Sequence, residues 1–250
     1  MSNFSGIYSQ ILDFLESNLC IAKNFIIGIS GGLDSAVVAT LCAEVSQKNT
    51  YALLLPTKIS NVKNLEDGIS LCKKLGINYK IISIEPILQA YKVSIDENLS
   101  NIRLGNLCAR IRMSLLYDYS AKIGGFVVGT SNKSELMLGY GTIYGDMACA
   151  INPIGEIFKS DIFEFAKFLK IDKTFIEKKP SADLWENQDD ESDLGYSYNE
   201  LDIILKEISK NGISKVDLYN KFDKDLVDRV LYLVNKNSFK LHPPKIAKIH

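Results

Sequence analysis

The sequence predicts an α/β protein in which a doubly wound parallel sheet carries helices on both faces. Short apolar segments alternate with segments of helical periodicity, and the apolar segments are apolar throughout rather than at every second residue. The four predicted strands are FIIGIS (25–30), YALLLP (51–56), NYKIISI (78–84) and GFVVGT (125–130). The predicted helices are 5–22, 34–47, 61–76, two stretches within 86–122, 160–170, 199–210 and 215–235.

Individual elements carry their own signals. In the first helix, apolar residues recur at helical spacing and form a stripe that serves either the core or a subunit interface: Ile7, Ile11 and Leu15. Pro56 stops the second strand, and Gly76 ends the third helix as a C-cap. Ser160 or Asp161 is the start signal of the next predicted helix, and the acidic stretch 186–195 predicts a mobile surface loop.

Composition bounds the class of protein. The chain has 250 residues, of which 46% are hydrophobic and 24% are charged, and its net charge is -1. This composition excludes a disordered chain and argues against a nucleic-acid binder, which would need a basic excess. No apolar run approaches the roughly 20 residues that span a membrane, and residues 1–18 lack the pattern of a secretion signal. We therefore expect one cytoplasmic domain over 1–250, with neither nucleic acid nor membrane as a partner.

Histidine and cysteine usage narrows the chemistry. The two histidines, His242 and His250, both lie in the last ten positions, so a Ser-His-Asp triad or a histidine-rich zinc site within the fold is nearly excluded. Five dispersed cysteines form no C-x-x-C pair, which is typical of reduced thiols in a cytosolic protein: Cys20, Cys42, Cys72, Cys108 and Cys149.

The most informative segment is Ser30-Gly31-Gly32-Leu33-Asp34-Ser35, which lies between a buried strand and a helix. Adjacent glycines let backbone N–H groups approach a ligand, and the start of a helix favours an anion. The segment matches neither the Walker A pattern nor G-x-G-x-x-G, so the prediction is a different kind of phosphate loop. Asp34 places a carboxylate where a phosphate would sit, which predicts a bridging cation such as magnesium. The alternative is a tight turn in which Asp34 is only the N-cap of the helix.

Parallel sheets bind ligands at the carboxyl ends of their strands, so functional residues are expected just after Ile29, Leu55, Ile84 and Val128. Thr130 ends the fourth strand, and Glu135 follows it closely enough to share a pocket with Asp34. The two carboxylates then form a pair that suits magnesium.

The motif S-G-G-x-D-S after an apolar strand resembles the pyrophosphate loop of the N-type ATP pyrophosphatases, which cleave ATP between its α and β phosphates. Four further segments are similar in order and spacing to the ammonia-dependent NAD synthetase family of that group: 105–121, 127–146, 151–169 and KPSADLW (179–185). The resemblance covers most of residues 25–200 and implies a Rossmann-like ATP pyrophosphatase fold.

The resemblance also implies roles for single residues. ATP would be bound by Gly28, Ile29, Ser30, Gly31, Gly32, Leu33, Asp34, Ser35, Thr130, Lys159 and Ser181. The dinucleotide would be bound by Arg110, Asp146 and Lys240, and magnesium by Asp34 and Glu135. Without the resemblance, Arg110 reads equally well as helix surface, and the glycine-rich segment 139–146 is either a floppy loop or a lid over substrate.

Three positions depart from the common pattern of the family. Ile143 and Ala150 stand where many bacterial members have Lys and Asp, and Phe239 precedes Lys240 where others place His. The resemblance therefore implies a dinucleotide grip that differs in detail, with Asp146 as a replacement acid.

The resemblance implies a ligase that amidates deamido-NAD (nicotinic acid adenine dinucleotide) with ammonia through an acyl-adenylate, giving NAD, AMP and pyrophosphate. It further implies ATP and magnesium as co-substrate and cofactor, a homodimer, and no glutaminase domain. The alternatives are a tRNA-modifying adenylating enzyme of the same fold, for which a basic face or a cysteine cluster would be expected, and a non-catalytic adenylate-binding module.

Overall fold

The computed structural model describes residues 3–95, 98–181, 185, 188–210 and 212–249. Four parallel strands form one sheet in the order β3-β2-β1-β4. The strands are β1 (Phe25–Gly28), β2 (Thr50–Leu54), β3 (Asn78–Ile81) and β4 (Phe126–Val128). The sequence predicted this α/β class and this parallel sheet, and both are confirmed.

Twelve α-helices occur in the described residues and cover the sheet. The first six are α1 (Phe4–Ala22), α2 (Leu33–Ser46), α3 (Val62–Leu75), α4 (Glu85–Ile95), α5 (Asn101–Ile123) and α6 (Lys133–Leu138). The remaining six are α7 (Lys159–Phe168), α8 (Lys173–Ile176), α9 (Asp190–Leu194), α10 (Tyr198–Ile208), α11 (Lys215–Lys221) and α12 (Lys224–Asn237). None of these helices combines the length and the apolar character needed to cross a membrane.

Successive side chains of β1 enter opposite layers, as the pleat of a strand requires. Phe25 and Ile27 pack into the larger core with α1, α2, α3 and α7, whereas Ile26 packs into the core under α4 and α5. A third apolar cluster joins α6, α10, α11 and α12. The last cluster matters for the site because it packs against the end of α6 at Leu138 and the beginning of α7 at Phe158.

The apolar stripe of α1 serves the core. Leu15 is fully buried, Ile11 is buried, and Ile7 packs against the same cluster. Of the two roles that the sequence allowed for this stripe, the structure therefore supports the core. The Gly76 prediction is also confirmed, because this residue caps α3 in a left-handed conformation (φ 66°).

Several local predictions were wrong. The third strand is shorter than predicted, Asn78–Ile81 instead of 78–84, and it is largely exposed because it is an edge strand of the sheet. The N-cap of α7 is Phe158, not Ser160 or Asp161. Segment 215–235 is two helices, because Asp223 caps α12 with its side chain and interrupts the run. In the predicted loop 186–195, Glu186 and Asn187 lie outside the described residues, and Asp190–Leu194 is helical.

Candidate active site

A cavity of about 600 Å³ lies at the carboxyl edge of the sheet, beside β1 and β4. The chain order reverses between these two strands, which is where ligands bind in open α/β sheets. Residues that follow β1, β2 and β4 line the cavity, as predicted, whereas those just after Ile84 do not. Most predicted site residues line it: 28–30, 32–35, Thr130, Glu135, Asp146, Lys159, Ser181 and Lys240. Gly31 and Arg110 lie outside this lining.

The turn after β1 depends on Gly31, which has a φ of +81°. A Cβ atom at this position would lie 2.1 Å from the backbone oxygen of Asn64, so only glycine fits. The Ser30 and Ser35 hydroxyl groups lie 3.2 Å apart, and the Gly32 N–H group donates to the Ser30 hydroxyl over 3.2 Å. The turn thus gathers hydroxyl and N–H donors beside the first turn of α2, which is an anion-binding arrangement.

Asp34 is not the N-cap of α2. That position belongs to Gly32, which makes no side-chain cap bond, and Asp34 lies in the first helical turn. Its carboxylate instead pairs with the ammonium group of Lys159, which also lies 3.6 Å from Glu135 Oε1. The Lys159 side chain is only 4% exposed. The structure therefore brings together three predicted site residues that are 24 or more positions apart in the chain.

Asn132 joins the two carboxylates, and sequence reasoning missed it. Its side-chain amide donates to Asp34 Oδ1 over 3.1 Å and its side-chain oxygen accepts the Glu135 N–H group over 3.0 Å. The Asn132 N–H group donates back to Glu135 Oε2 over 3.2 Å, which completes a capping box at α6. The spacing Asn-x-x-Glu is a known helix-start pattern and could have revealed the cap, but not the bond to Asp34.

A buried carboxylate fixes the beginning of α7. Ser134 accepts the Lys159 N–H group over 2.9 Å and donates its hydroxyl to Asp202 Oδ1 over 2.5 Å. Asp202 Oδ2 accepts the Ser160 N–H group over 2.7 Å. Because Phe158 offers no side-chain cap, these contacts from α6 and α10 replace one and hold Lys159 in place.

The charges of this cluster perturb one another. Burial, and next the Asp34 carboxylate, raise the pKa of Glu135 to about 8. Burial acts to lower the pKa of Lys159, but Asp34 and Glu135 outweigh it, so the pKa of Lys159 is raised. Lys159 is therefore a permanent cation at the floor of the cavity.

The donor set fits a hard cation. Asp34 and Glu135 supply carboxylate oxygens beside the hydroxyl groups of Ser30 and Ser35, which are ligands of the type that magnesium prefers. In the described part of the chain, no three His, Cys, Asp or Glu side chains are grouped to hold a metal. A cation at these two carboxylates would thus complete its shell with oxygens of a bound ligand or of water.

The glycine-rich segment 139–146 is held differently. Lys240 donates to the carbonyls of Gly139 (2.7 Å) and Gly141 (3.0 Å), and Arg110 Nε donates to the Ile143 carbonyl (3.3 Å). Burial, chiefly, lowers the pKa of Lys240. Two of the three predicted dinucleotide contacts thus hold backbone carbonyls of this segment.

The side chains of Asp146 and Asn106 hold the same segment through Thr142. Asp146 Oδ1 accepts the Thr142 N–H group over 2.9 Å, and Asn106 Oδ1 accepts the Thr142 hydroxyl over 2.8 Å. Burial raises the pKa of Asp146 above its usual value. The segment is ordered by side-chain contacts, so the description as a floppy loop was wrong.

Arg112 lines the cavity, whereas Arg110 does not. The Arg112 Nε group donates to the Leu55 carbonyl over 3.0 Å, at the end of β2. Sequence analysis did not name Arg112 as a site residue. Its helical spacing to Ala109 and Leu116, which share the cavity-lining face, is the signal that could have found it.

Tyr140 connects the glycine-rich segment to α9. Its hydroxyl donates to Asp190 Oδ1 (3.0 Å) and to Asp193 Oδ2 (2.8 Å). Burial, and next Asp190, raise the pKa of Tyr140 far above its usual value. Within the predicted KPSADLW segment, residues 182–184 lie outside the described residues, while Ser181 and Trp185 line the cavity.

Comparison with known proteins identifies the family. Residues 7–244 match the NAD synthase family. An NH3-dependent NAD synthetase of Campylobacter jejuni is 49% identical over 99% of this chain and all of its own length. The structure of the NH3-dependent NAD synthetase from C. jejuni with a nitrate ion superposes with a TM-score of 0.85 at 43% identity, covering 99% of this chain and 100% of its own.

A second solved structure superposes as well. It is the NMN synthetase of Francisella tularensis, with a TM-score of 0.87, 31% identity and full coverage of both chains. These relatives match the chain over 99 to 100% of its length. The chain therefore belongs to the NAD synthase family, whose members are ligases.

Proposed function

We propose that the protein forms NAD by amidating deamido-NAD with ammonia at the expense of ATP, which is cleaved to AMP and pyrophosphate. The observation that carries this proposal is the cluster of buried Lys159 with half-buried Asp34 and Glu135 beside the glycine turn. The names of the relatives over the full chain support the same activity.

ATP binds with its phosphates at the turn 30–35. The Gly32 N–H group, the hydroxyls of Ser30 and Ser35 and the start of α2 face the cavity and stabilise negative charge. Thr130 and Ser181 line the same cavity and add hydroxyl donors. Lys159 neutralises charge on the polyphosphate, and its permanent positive charge suits that role.

Asp34 and Glu135 would hold the magnesium ion that accompanies ATP. A bound magnesium ion would draw negative charge from the phosphate oxygens. Its presence also explains why the fold keeps two carboxylates together in a site where burial raises the pKa of one to about 8. Asn132 orients both carboxylates, since its side-chain amide donates to Asp34 and its backbone N–H group donates to Glu135.

The reaction needs little acid–base chemistry from the protein. A carboxylate oxygen of deamido-NAD attacks the α-phosphorus of ATP, the bond to the β-phosphate oxygen breaks, and pyrophosphate leaves. Ammonia then attacks the carbonyl carbon of the acyl-adenylate, AMP leaves with the bonding electrons, and the nitrogen loses a proton. The chain supplies positioning and charge stabilisation, which accounts for a cavity without a histidine in its described lining.

Deamido-NAD binds against the glycine-rich segment. Arg110, Asp146 and Lys240 are the proposed contacts, and Arg110 and Lys240 now donate to carbonyls of that segment. Phosphate oxygens accept such charged hydrogen bonds more strongly than carbonyls do, so an incoming dinucleotide would compete for them.

We also propose that residues 1–250 act as a single cytoplasmic domain that takes free ammonia. All five cysteines are free in the structure, which is typical of a reducing compartment. A homodimer is part of the proposal. Its support is an exposed apolar stripe on α4, where Ile87, Tyr91 and Ile95 recur at helical spacing.

One assay tests the activity. Purified protein is mixed with ATP, magnesium, ammonium and deamido-NAD, and NAD, AMP and pyrophosphate are quantified. Equal amounts of all three products are expected, and ADP as a product would contradict the proposal. Glutamine in place of ammonium tests the nitrogen source, and ATP binding without pyrophosphate release would favour a non-catalytic adenylate-binding module.

Two further versions of this assay test the identity of the substrate. Nicotinic acid mononucleotide replaces deamido-NAD because the F. tularensis structure is that of an NMN synthetase. Preferred turnover of the mononucleotide would overturn the dinucleotide assignment. In the second version, unmodified tRNA replaces deamido-NAD, because a tRNA-modifying adenylating enzyme would transfer AMP to it.

Sedimentation tests the homodimer. The chain mass is 27.9 kDa, so a dimer sediments at about twice that mass. Tyr91→Glu on the exposed stripe is expected to shift the protein toward the monomer. A parent protein that stays monomeric at the concentrations of the activity assay would contradict the proposed homodimer.

A further inference from the structure

Lys178 lines the cavity and contacts the glycine turn through a backbone carbonyl. Its ammonium group donates to the Gly31 carbonyl (2.8 Å) and to Asn64 Oδ1 (2.9 Å), and it pairs with Asp67 Oδ2 (2.6 Å). The ammonium also lies 5.3 Å from the centre of the Phe175 ring. All three N–H donors of the ammonium group therefore have oxygen partners, and one of these is a backbone atom of the turn itself.

The Gly31 carbonyl decides where the next N–H group points. In a trans peptide the carbonyl and the following N–H group point in opposite directions. With the Gly31 carbonyl held toward α3 by Lys178, the Gly32 N–H group turns toward the Ser30 hydroxyl, and both of these residues line the cavity. The contact made by Lys178 thus selects the orientation that presents a donor to an anion.

Glycine would otherwise allow the opposite orientation. Rotation of this peptide unit changes the ψ of Gly31 and the φ of Gly32. Gly32 has a φ of -92°, and glycine adopts both signs of φ at similar energy. Rotation of the peptide between Gly31 and Gly32 would place a carbonyl oxygen, which carries partial negative charge, beside the bound phosphates. An unrestrained turn would therefore spend part of its time in a state that repels the ligand.

We propose that Lys178 is a positioning residue whose ammonium group holds the Gly31 carbonyl against α3 and so keeps the Gly32 N–H group directed at the phosphates of ATP. This inference rests on the proposed function in one respect, namely that the anion at the turn is ATP. Lys178 also lies three residues before Ser181. Its bond to the Gly31 carbonyl therefore anchors the segment that brings the Ser181 hydroxyl to the cavity.

The structure offers a matched control. Lys63 pairs with the same carboxylate, through Asp67 Oδ1 at 2.9 Å, but it is exposed and makes no contact with the turn. Lys178→Met and Lys63→Met each remove one cation from Asp67, and only the first releases the Gly31 carbonyl.

The decisive measurement is ATP affinity by calorimetry, with magnesium and without deamido-NAD. If the turn has the binding-competent orientation in about one tenth of the Lys178→Met molecules, this variant binds ATP about tenfold more weakly than the parent. It raises the KM for ATP similarly and leaves the KM for deamido-NAD unchanged. Lys178→Arg, which retains charge and donors, recovers most of the affinity, and Lys63→Met stays within twofold of the parent.

ATP binding by Lys178→Met within twofold of the parent would overturn the inference, as would an equal loss in Lys63→Met. Should Lys178→Met fail to fold, Asp67→Asn carries the test. It leaves Lys178 beside Gly31 without its ionic anchor, and about threefold weaker ATP binding is expected. ATP affinity of Asp67→Asn equal to that of the parent would then contradict the role.

Failure of this inference is distinguishable from failure of the proposed function. Parent protein that forms no NAD while Lys178→Met and Lys63→Met still differ in ATP affinity would refute the proposed reaction alone. Parent protein that forms NAD while both variants bind ATP equally would refute the role of Lys178 alone.

Discussion

The cavity has two walls that are built in different ways. On the wall formed by α2, α6 and α7, the charged groups are buried or half-buried and contact one another, as in the pair of Asp34 and Lys159 and in the bonds of Asn132. On the wall formed by segment 139–146, cationic side chains instead contact backbone carbonyls, as Lys240 does. The first wall is organised before any ligand arrives, whereas the contacts of the second are ones for which a phosphate can compete.

The largest effect is expected on the first wall, from Asp34→Asn. The substitution keeps the shape of the side chain but removes the charge that pairs with Lys159 and would hold magnesium. Loss of one such preorganised group lowers the rate of NAD formation by about 100- to 1,000-fold. Steady-state kinetics at saturating ATP check this. A folded variant as active as the parent would refute the proposed phosphate and cation site.

A smaller effect is expected from Asn132→Ala, which removes the bonds to Asp34 and Glu135. Groups that orient metal ligands contribute about 10- to 100-fold to activity or metal affinity. The magnesium dependence of NAD formation measures the loss. Asn237→Ala is the control, because it deletes a bond to the Leu138 carbonyl at the opposite end of α6 and should alter stability without this change in activity. Equal activity losses in both variants would contradict the orienting role.

On the second wall, Lys240→Met should act on one substrate only. Removing a charged donor to a phosphate raises the KM for deamido-NAD by about tenfold, and the KM for ATP stays unchanged. The control is Lys236→Met, since Lys236 lies one helical turn earlier and donates to Tyr232. Equal rises in both KM values would show that the two walls are not independent.

The smallest effect concerns the stability of the ligand-free protein. Because the folded state raises the pKa of Glu135 from 4.5 to about 8, it keeps a proton there that the unfolded chain has already lost. Stability therefore falls as pH rises through this interval. In Glu135→Gln, the decrease in Tm over this pH interval should be smaller by a few degrees. The conversion is that about 1 kcal/mol of unfolding free energy changes Tm by about 2 to 4 °C.

Glu156→Gln is the control for that series, since Glu156 is exposed and pairs with Lys133. Thermal unfolding from pH 5.5 to 8.5 measures the slope for the parent and for both variants. A Glu135→Gln slope equal to that of the parent would contradict the raised pKa.

Much of the first wall was predictable from the sequence. The glycine turn, Asp34, Glu135 and Lys159 are local signals next to strand ends, and the cavity contains all of them except Gly31, which supports the turn from behind. Asn132 and Asp202 were not predictable as site residues, because their partners lie 98 and 68 positions away. Hydrogen bonds of this range depend on how helices pack, which no local pattern records.

Less of the second wall could be predicted from the sequence. The family resemblance gave Arg110 and Lys240 a binding role, and in the structure both hold the glycine-rich segment. Lys240 also lines the cavity, whereas on α5 it is Arg112 rather than Arg110 that does so. The two arginines are two residues apart and so lie on nearly opposite faces of α5. Which of them faces the cavity follows from the packing of α5 on the sheet rather than from residue type.

By itself, the sequence determined the order of strands and helices, the parallel sheet and the chemistry of the turn after β1. Periodicity, capping residues and glycine positions act over a few residues, so they can be read without a fold. Only the tertiary structure decided that Lys159 bridges the two carboxylates and that Asn132 binds Asp34. It also decided that Asp202 fixes the beginning of α7 and that Lys178 binds the Gly31 carbonyl. These contacts join distant parts of the chain, and they form because buried charged and polar groups must find partners once water is excluded.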